Sequence, residues 1–441
     1  MRAATDADFN NADRYLDLKL EIFFSGLSGA PLTVSKSNFL IDVDWLEELS
    51  ADSSSPFGVV SSNELTFRLY NENGMFSPTN VASPYYGEIR AGVPVALHIR
   101  PITADEVEWT QLGMYFITGW DAQLTGSHAD VRANDIWYFM FNNPMINYPV
   151  TKNISYSTLL TEVFALLGHN VSIDTSLNTV LPYAFISKST KTFIKDILAA
   201  SLSYATCSKS GQPIIEAFLK TRVLRATLTD NNQLKSAVSK QSITKAYDGV
   251  ALSYVIPNLS SHAELIAISN LTVPVGTFTV SGMEYKHNPV WDVNTVLVRD
   301  ATGKVRLINY SSTQDTLSIT VNNTGTIPID ISVYAYGMHV ELASVALTDN
   351  GSSLLKVNNN FIQTISYANI VKGVLQSYIN QDVSSLSVDV RGNPLLNLGE
   401  KIKLYSAMYN IDFTGIIQRL KYTYNGGLDC SMTVLNANIF E

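Results

Sequence analysis

At 441 residues the chain exceeds what one core usually holds, so it is expected to divide into roughly two to four domains. Apolar residues make up 46% and charged residues 16%, which excludes a largely disordered chain and supplies a core for each domain. Thirty basic against 39 acidic residues leave a formal charge of −9, which excludes a surface built from Lys and Arg clusters to hold phosphates.

Residues 1–14 are polar and expected to be flexible. From Tyr15 the pattern is β, with Leu16, Leu18, Leu20 and Ile22 alternating against Asp17, Lys19 and Glu21. Ser25-Gly26, Ser28-Gly29 and Pro31 punctuate a loop. Asp42 to Leu46 reads as a short strand, and a Ser- and Asp-rich loop follows at 50–56. Leu65, Phe67 and Leu69 form the next alternating strand, which runs into Asn71-Glu72-Asn73-Gly74. A crossing with Pro84-Tyr85-Tyr86-Gly87 leads to Gly92-Val93-Pro94 and a further strand with Val95, Leu97 and Ile99. Strands near 94–100, 111–120 and 127–135 complete a first barrel-type domain over 15–140.

The texture changes at Asn142-Asn143-Pro144. Leu159, Leu160, Val163, Phe164, Leu166 and Leu167 predict a helix over 157–167 stopped by Gly168, and Phe193, Ile194, Ile197, Leu198 and Leu202 predict another over about 189–203. With short strands between them and a hairpin turn at Lys209-Ser210-Gly211-Gln212, residues 145–235 read as an inserted α+β unit. Strand patterns without helical periodicity then run from 255 to 345, a β-sandwich by number and spacing. A helix follows over 361–380, with Ile365, Ala368, Val371, Leu375 and Ile379 on one face. Leu386, Val388 and Val390 form a strand, the turn Arg391-Gly392-Asn393-Pro394 to Gly399-Glu400 follows, and a meander closes through Asn425-Gly426-Gly427. Residues 236–254 with 346–441 are expected to form a second barrel-type domain. The chain as a whole is expected to be mainly β, and no internal repeat is apparent along it.

No catalytic or cofactor pattern rises above background. The histidines at 98, 128, 169, 262, 287 and 339 show no metal-ligand spacing, and no phosphate loop, dinucleotide fingerprint or nucleophile elbow occurs. Carboxylates beside strand tryptophans, at Asp42-Val43-Asp44-Trp45 and Gly119-Trp120-Asp121, read as sheet and rim residues rather than as a glycosidase pair. Cys207 and Cys430 lie far apart without redox spacing, and Cys430 sits in the apolar phase of its strand. The N-terminus has no apolar run and no stretch of 18 apolar residues occurs, so neither a signal peptide nor a spanning helix is expected.

The segment 64–100, with its Asn-to-Gly turn, Phe-x-Pro-x-Asn, x-Pro-Tyr-Tyr-Gly and Gly-x-Pro-Val pieces, resembles the first tube-forming domain of phage tail and baseplate hub proteins. The helix and hairpin at 189–219 and the Arg-Gly-Asn-Pro-x-Leu-x-x-Gly turn within 386–435 resemble later parts of the same family, with Glu400 where the family carries Asp. The resemblance implies two tube-type β-barrel domains, an inserted α+β unit and a β-sandwich. It implies a trimeric structural virion protein at the tail tip, assembled in the host cytoplasm, that adapts a sixfold tube to a threefold tip. Its expected partners are two further copies, a tail tube or distal tail protein, and a spike, fibre or tape-measure protein, with DNA passing unbound through the lumen. No enzyme activity, cofactor or metal is expected. The structural residues it singles out are Asn71, Gly74, Pro84, Tyr85, Tyr86, Gly87, Gly92 and Pro94, then Gly392, Pro394, Gly399, Asn425, Gly426 and Gly427. The alternative from another class is a tail adhesin whose 255–345 sandwich holds host glycan. A tail-associated hydrolase would be expected to carry an appended catalytic domain.

Overall fold

The computed structural model describes residues 2–10, 14–49, 58, 61–103, 106–122, 127–143, 148–186, 189–230, 234–236, 242–243, 247–380 and 384–436. The Ser- and Asp-rich loop at 50–56 lies outside the described residues. Near the N-terminus, where the sequence suggested a flexible segment, a short helix α1 (Asp6–Asn10) places Phe9 fully inside the core. Its anchors are polar and distant in sequence. The Arg14 guanidinium donates to the carbonyls of Phe9, Arg391, Gly392 and Leu428, and Asp6 pairs with Arg225 at 2.6 Å.

The first strands are β1 (Tyr15–Ile22), β2 (Leu32–Ser35), β3 (Leu40–Glu48), β4 (Glu64–Tyr70), β5 (Pro94–Ile102), β6 (Thr110–Ala122) and β7 (His128–Asn134). Their alternation does what period-two sequence demands: Leu18, Leu20, Leu65, Leu69, Val131 and Ala133 are buried, while Asp17, Glu64, Arg68 and Arg132 face the other way. The order is β3-β4-β7-β6-β5-β1-β2, every pair antiparallel. Strands β2 and β3 stand at opposite edges of this run, yet residues 36–39 alone connect them. The sheet must therefore curl until its edges approach, as a barrel does. Helix α2 (Ile136–Phe141) follows β7.

The α+β part comprises β8 (Thr151–Ser155), α3 (Tyr156–Leu166), β9 (Ser172–Ile173), β10 (Val180–Ala184), α4 (Thr190–Ala200), β11 (Ser203–Cys207) and β12 (Pro213–Ala217). Ser155 and Ser189 cap the two longer helices by accepting from the N–H groups of Thr158 and Thr192. Leu159, Leu160, Val163 and Phe164 on α3, and Phe193, Ile194, Ile197 and Leu198 on α4, are buried as the spacing implied. Gly168 adopts φ +77° after α3. Helix α4 stops short of the expected 203, because Leu202 takes φ +52° and turns the chain into β11.

Next come β13 (Leu224–Thr229), β14 (Leu234–Ser236), β15 (Ser242–Ile243) and β16 (Gly249–Leu259). The following strands are β17 (Ala263–Val273), β18 (Gly276–Glu284), β19 (Val290–Asp300), β20 (Val305–Ser312), β21 (Thr316–Asn323) and β22 (Ile329–Thr348). One sheet has β17 and β19 on either side of the first half of β22; the other is β18-β21-β20. Their inward residues, among them Leu265, Val273, Leu317, Ile319, Val321, Ile331 and Val333, form a core of their own. The second half of β22 pairs β16, which pairs β23 (Leu354–Asn359) and belongs to the main core. Helix α5 (Ile365–Asn380) turns Ala368, Val371, Leu375 and Ile379 inward, whereas Ile365 is 57% exposed.

The chain ends with β24 (Ser384–Val390), β25 (Lys401–Ser406), β26 (Ile411–Tyr424) and β27 (Leu428–Asn436). These run β24-β27-β26-β25-β13, with β14 and β15 on the far side of β24. Here too the strands at opposite edges, β13 and β14, are joined by a short link, residues 230–233, so this sheet also curls. The fold is mainly β with a smaller α+β part.

Candidate assembly interface

Two stretches of this fold repeat one another. Strands β4, β5, β6 and β7 are ordered β4-β7-β6-β5, and β24, β25, β26 and β27 are ordered β24-β27-β26-β25, all antiparallel. Along β4–β7 and β6–β7 the registers match those of β24–β27 and β26–β27. Leu65 lies opposite Ala133 as Leu386 lies opposite Val434, and Ile117 lies opposite Ala133 as Ile417 lies opposite Val434. Both inner strands slip at the same place, between Ile117 and Gly119 and between Ile417 and Arg419.

The turns that sequence singled out hold these units in the same way. Gly92, at φ +84°, donates to the Ile117 carbonyl at 2.7 Å; Gly399, at φ +79°, donates to the Ile417 carbonyl at 2.9 Å. Asn71 is buried after β4, where its Oδ1 accepts from Phe76 N at 2.7 Å and its Nδ2 donates to Ser77 Oγ at 3.0 Å. Its counterpart after β24 is Asn393, whose Oδ1 accepts from Leu395 N at 3.0 Å and whose Nδ2 donates to Asp6 at 2.8 Å. Gly74 completes the first turn at φ +67°, beside Asn73 at φ +56°. In the crossing, Pro84 precedes Tyr85, whose ring stacks on Phe24 at 4.9 Å and on Phe76 at 5.7 Å, and Gly87 adopts φ +78°. Tyr86 is 53% exposed, and Pro94 opens β5 opposite Phe116. Gly392 sits at φ +75° against Cys430 and Leu428, Pro394 follows Asn393 in that turn, and Asn425, Gly426 and Gly427 close the last hairpin.

Gly399 also packs the α+β part onto the second unit. A Cβ there would stand 2.2 Å from the Tyr204 hydroxyl, which donates to Glu216 at 2.5 Å. Gly399→Ala is expected to destabilise the chain by about 1–3 kcal/mol from strain and overpacking. Tyr204→Phe should recover part of that loss in the Gly399→Ala background, measured by denaturant unfolding. Equal costs of Tyr204→Phe in both backgrounds would refute the contact.

The two units are fused into one 14-stranded sheet. Past its slip, β26 leaves β25 and pairs β3 from Arg419 opposite Glu48 to Tyr424 opposite Val43. An apolar row crosses this seam through Val390, Cys430, Tyr422, Trp45, Leu65 and Ala133, all buried. At its centre the Trp45 and Tyr422 rings stack at 4.6 Å and 14°. The opposite face is polar and of mixed sign, with a cross-strand row of Asp42, Arg68, Asp130 and Asp121 in which Arg68 and Asp130 pair at 2.7 Å. Both Trp-carboxylate segments are thus parts of the sheet: Trp45 is a seam residue, and the Trp120 indole donates to the Phe76 carbonyl at 2.8 Å.

Sequence reasoning passed over Asp135. It caps α2, accepting from Trp137 N at 3.0 Å, and its second oxygen accepts from Asn63 N, just before β4, at 2.9 Å. Burial pushes its carboxyl up to about 7 despite those hydrogen bonds and the one from the Cys207 thiol. The thiol is itself driven well above its usual range, first by burial and then by Asp135. Asp before an aromatic helical run was the available signal. Among the described residues no three His, Cys, Asp or Glu side chains gather as metal ligands would, and no helix is long and apolar enough to cross a membrane.

No family model and no curated protein matches the sequence. Solved structures do match. The 43 kDa tail protein of prophage MuSo2 from Shewanella oneidensis superposes with a TM-score of 0.54 at 10% identity, covering 96% of this chain and 100% of that one. The tail protein from Neisseria meningitidis MC58 does so with 0.53 at 7% identity, covering 97% of this chain and 98% of that one. This chain has the fold of those tail proteins. The likeness spans the full length, so the tail-protein fold takes in the sandwich and the α+β part as well as the fused sheet.

Proposed function

We propose that the chain is a structural component of a phage tail: the hub at the distal end of the tail tube, three copies closing a ring around a lumen. The observation that carries this reading is the duplicated strand order within one sheet, because a chain with two equivalent units forms a six-unit ring from three copies. Such a ring would seat a sixfold tube on one side and a threefold spike, fibre or tape-measure end on the other. Its lumen would be walled by the polar, mixed-charge face of the sheet. A wall that carries Asp42, Asp130 and Asp121 beside Arg68 offers no continuous positive track, which suits passage of DNA without retention. In this reading the turn residues from Asn71 to Pro94 and from Gly392 to Gly427 shape units for assembly, and no catalytic role is assigned.

Light scattering with negative-stain images of the same peak tests it. A particle of about 145 kDa, three times the 48.5 kDa chain, with a central hole is the expected result. A monomer at every concentration, paired with glycan binding by the intact chain, would favour an adhesin instead.

A further inference from the structure

The two units differ at one edge. In the second, β26 runs past β25 and its Arg419–Tyr424 stretch is paired by β3. The equivalent stretch of β6, Gly119–Ala122, runs past β5 and pairs β7, and no strand among the described residues lies on its other side. Strand β3 fills the slot in the second unit while also pairing β4. The elements that hold the place of β3 beside β24 are β14 and β15. Here the registers match again. Leu40 and Asp42 lie opposite Leu69 and Arg68 across a slip; Leu234 and Ser236 lie opposite Val390 and Asp389 across the same slip. The outer sides of β14 and β15 pair no strand among the described residues. One chain therefore holds a completed junction and, at two separate edges, both halves of a second.

We propose that the Gly119–Ala122 edge of β6 pairs antiparallel with β15 of a second copy, repeating between chains the β26–β3 junction made within one. The proposal rests on the ring reading above and names its contact. The donor and acceptor edges are different surfaces, so the contact is head to tail and must close into a ring or grow without limit. An unfilled edge of this kind is otherwise a liability that a folded protein covers.

The internal junction supplies the register. Leu46 lies opposite Glu64 and Ser242 opposite Ser385, which are equivalent positions, so Ser242 stands for Leu46 and Ile243 for Glu47. Lys421 and Leu420, opposite Leu46 and Glu47, correspond to Asp121 and Trp120. Asp121 of one copy would therefore face Ser242 of the next. Leu49 N donates to the Gln418 carbonyl at 2.9 Å, which makes Lys421 and Leu46 a non-hydrogen-bonded pair, the kind whose side chains lie nearest. By the same phase Trp120 and Ala122 direct their N–H and C=O groups to the open edge.

The test is the full-length Asp121→Cys/Ser242→Cys double variant under mild oxidation, read on a non-reducing gel beside each single variant and beside light scattering. A non-hydrogen-bonded antiparallel pair falls within disulfide reach. The expected result is a covalent ladder that ends at the ring's own mass in the double variant and is lost in either single variant. Ala122→Pro, which removes an edge-facing N–H and leaves the pairing to β7 intact, should release folded monomers with an unchanged circular dichroism spectrum. An oligomer by light scattering that forms no specific disulfide overturns this edge while the ring stands. A ladder that stops at a reciprocal dimer upholds the edge and overturns the ring. A chain that stays monomeric and uncrosslinked at every concentration overturns both.

Discussion

Trp45→Ala is expected to lower the unfolding free energy by roughly 3–5 kcal/mol, the range for emptying a buried aromatic site. Trp45 is 1% exposed, and its ring lies 4.6 Å from Tyr422 across the backbone seam where β3 meets β26. The loss therefore falls on the junction between the two units rather than on either unit alone. The Trp45 indole N–H meets no acceptor among the described residues. Trp45→Phe should accordingly cost much less than Trp45→Ala, because it keeps a ring against Tyr422 and removes a polar group rather than a hydrogen bond. Urea unfolding of the two variants decides the matter. Equal losses in both would show that the indole, not the stack, holds the seam.

A second large effect concerns pH. The Asp135 carboxyl is raised from 3.8 to about 7 by burial, so between those values the folded chain holds a proton that the unfolded chain releases. The sign follows from linkage: the contribution is fully present below pH 3.8 and is lost as pH rises through about 7, by on the order of 4 kcal/mol. Asp349, held down to about 2 by Lys372, and Asp174, also lowered, act in the opposite sense at more acid pH. The informative quantity is therefore the difference between wild type and Asp135→Asn. The amide imitates the protonated acid, and the variant should lack the fall in stability between pH 4 and 7. Parallel stability curves for the two proteins would contradict a buried, titrating Asp135.

Local patterns in the chain foretold local structure well. The helix faces of α3 and α4 follow from apolar spacing, and the buried phase of β1, β4 and β27 follows from alternation, including Cys430. Gly74, Gly87, Gly92, Gly392 and Gly399 were singled out as turn residues, and each adopts a positive φ. What the pattern could not carry is pairing between distant strands. The β26–β3 seam joins residues nearly the whole chain apart, and its register depends on which edge is left over when each unit has closed. The duplication, implied by the family resemblance, is not visible as a sequence repeat for a related reason. Beyond the Leu65–Leu386 pair, Phe67 and Leu69 share only apolar character with Val388 and Val390, and strand order leaves no trace in composition. Arg14 and Asp135 were missed because their polarity suggests solvent, while their partners, the Arg391 to Leu428 carbonyls and Asn63 N, come from elsewhere in the chain.

The sandwich has its own core, yet it is not a loosely tethered appendage. β22 runs without a break from Ile329, inside the sandwich, to Thr348, beside α5 and the main body. Where it leaves one body for the other it stays laced to β16 and β17, with Ser260 N donating to the His339 carbonyl at 2.9 Å and Leu259 opposite Val340. A two-stranded ribbon bonded along its length resists bending far better than a single linker. A strand continuous through both bodies gives the sandwich the geometry of a lever arm, through which a push at its tip would reach the sheet at its root as torque.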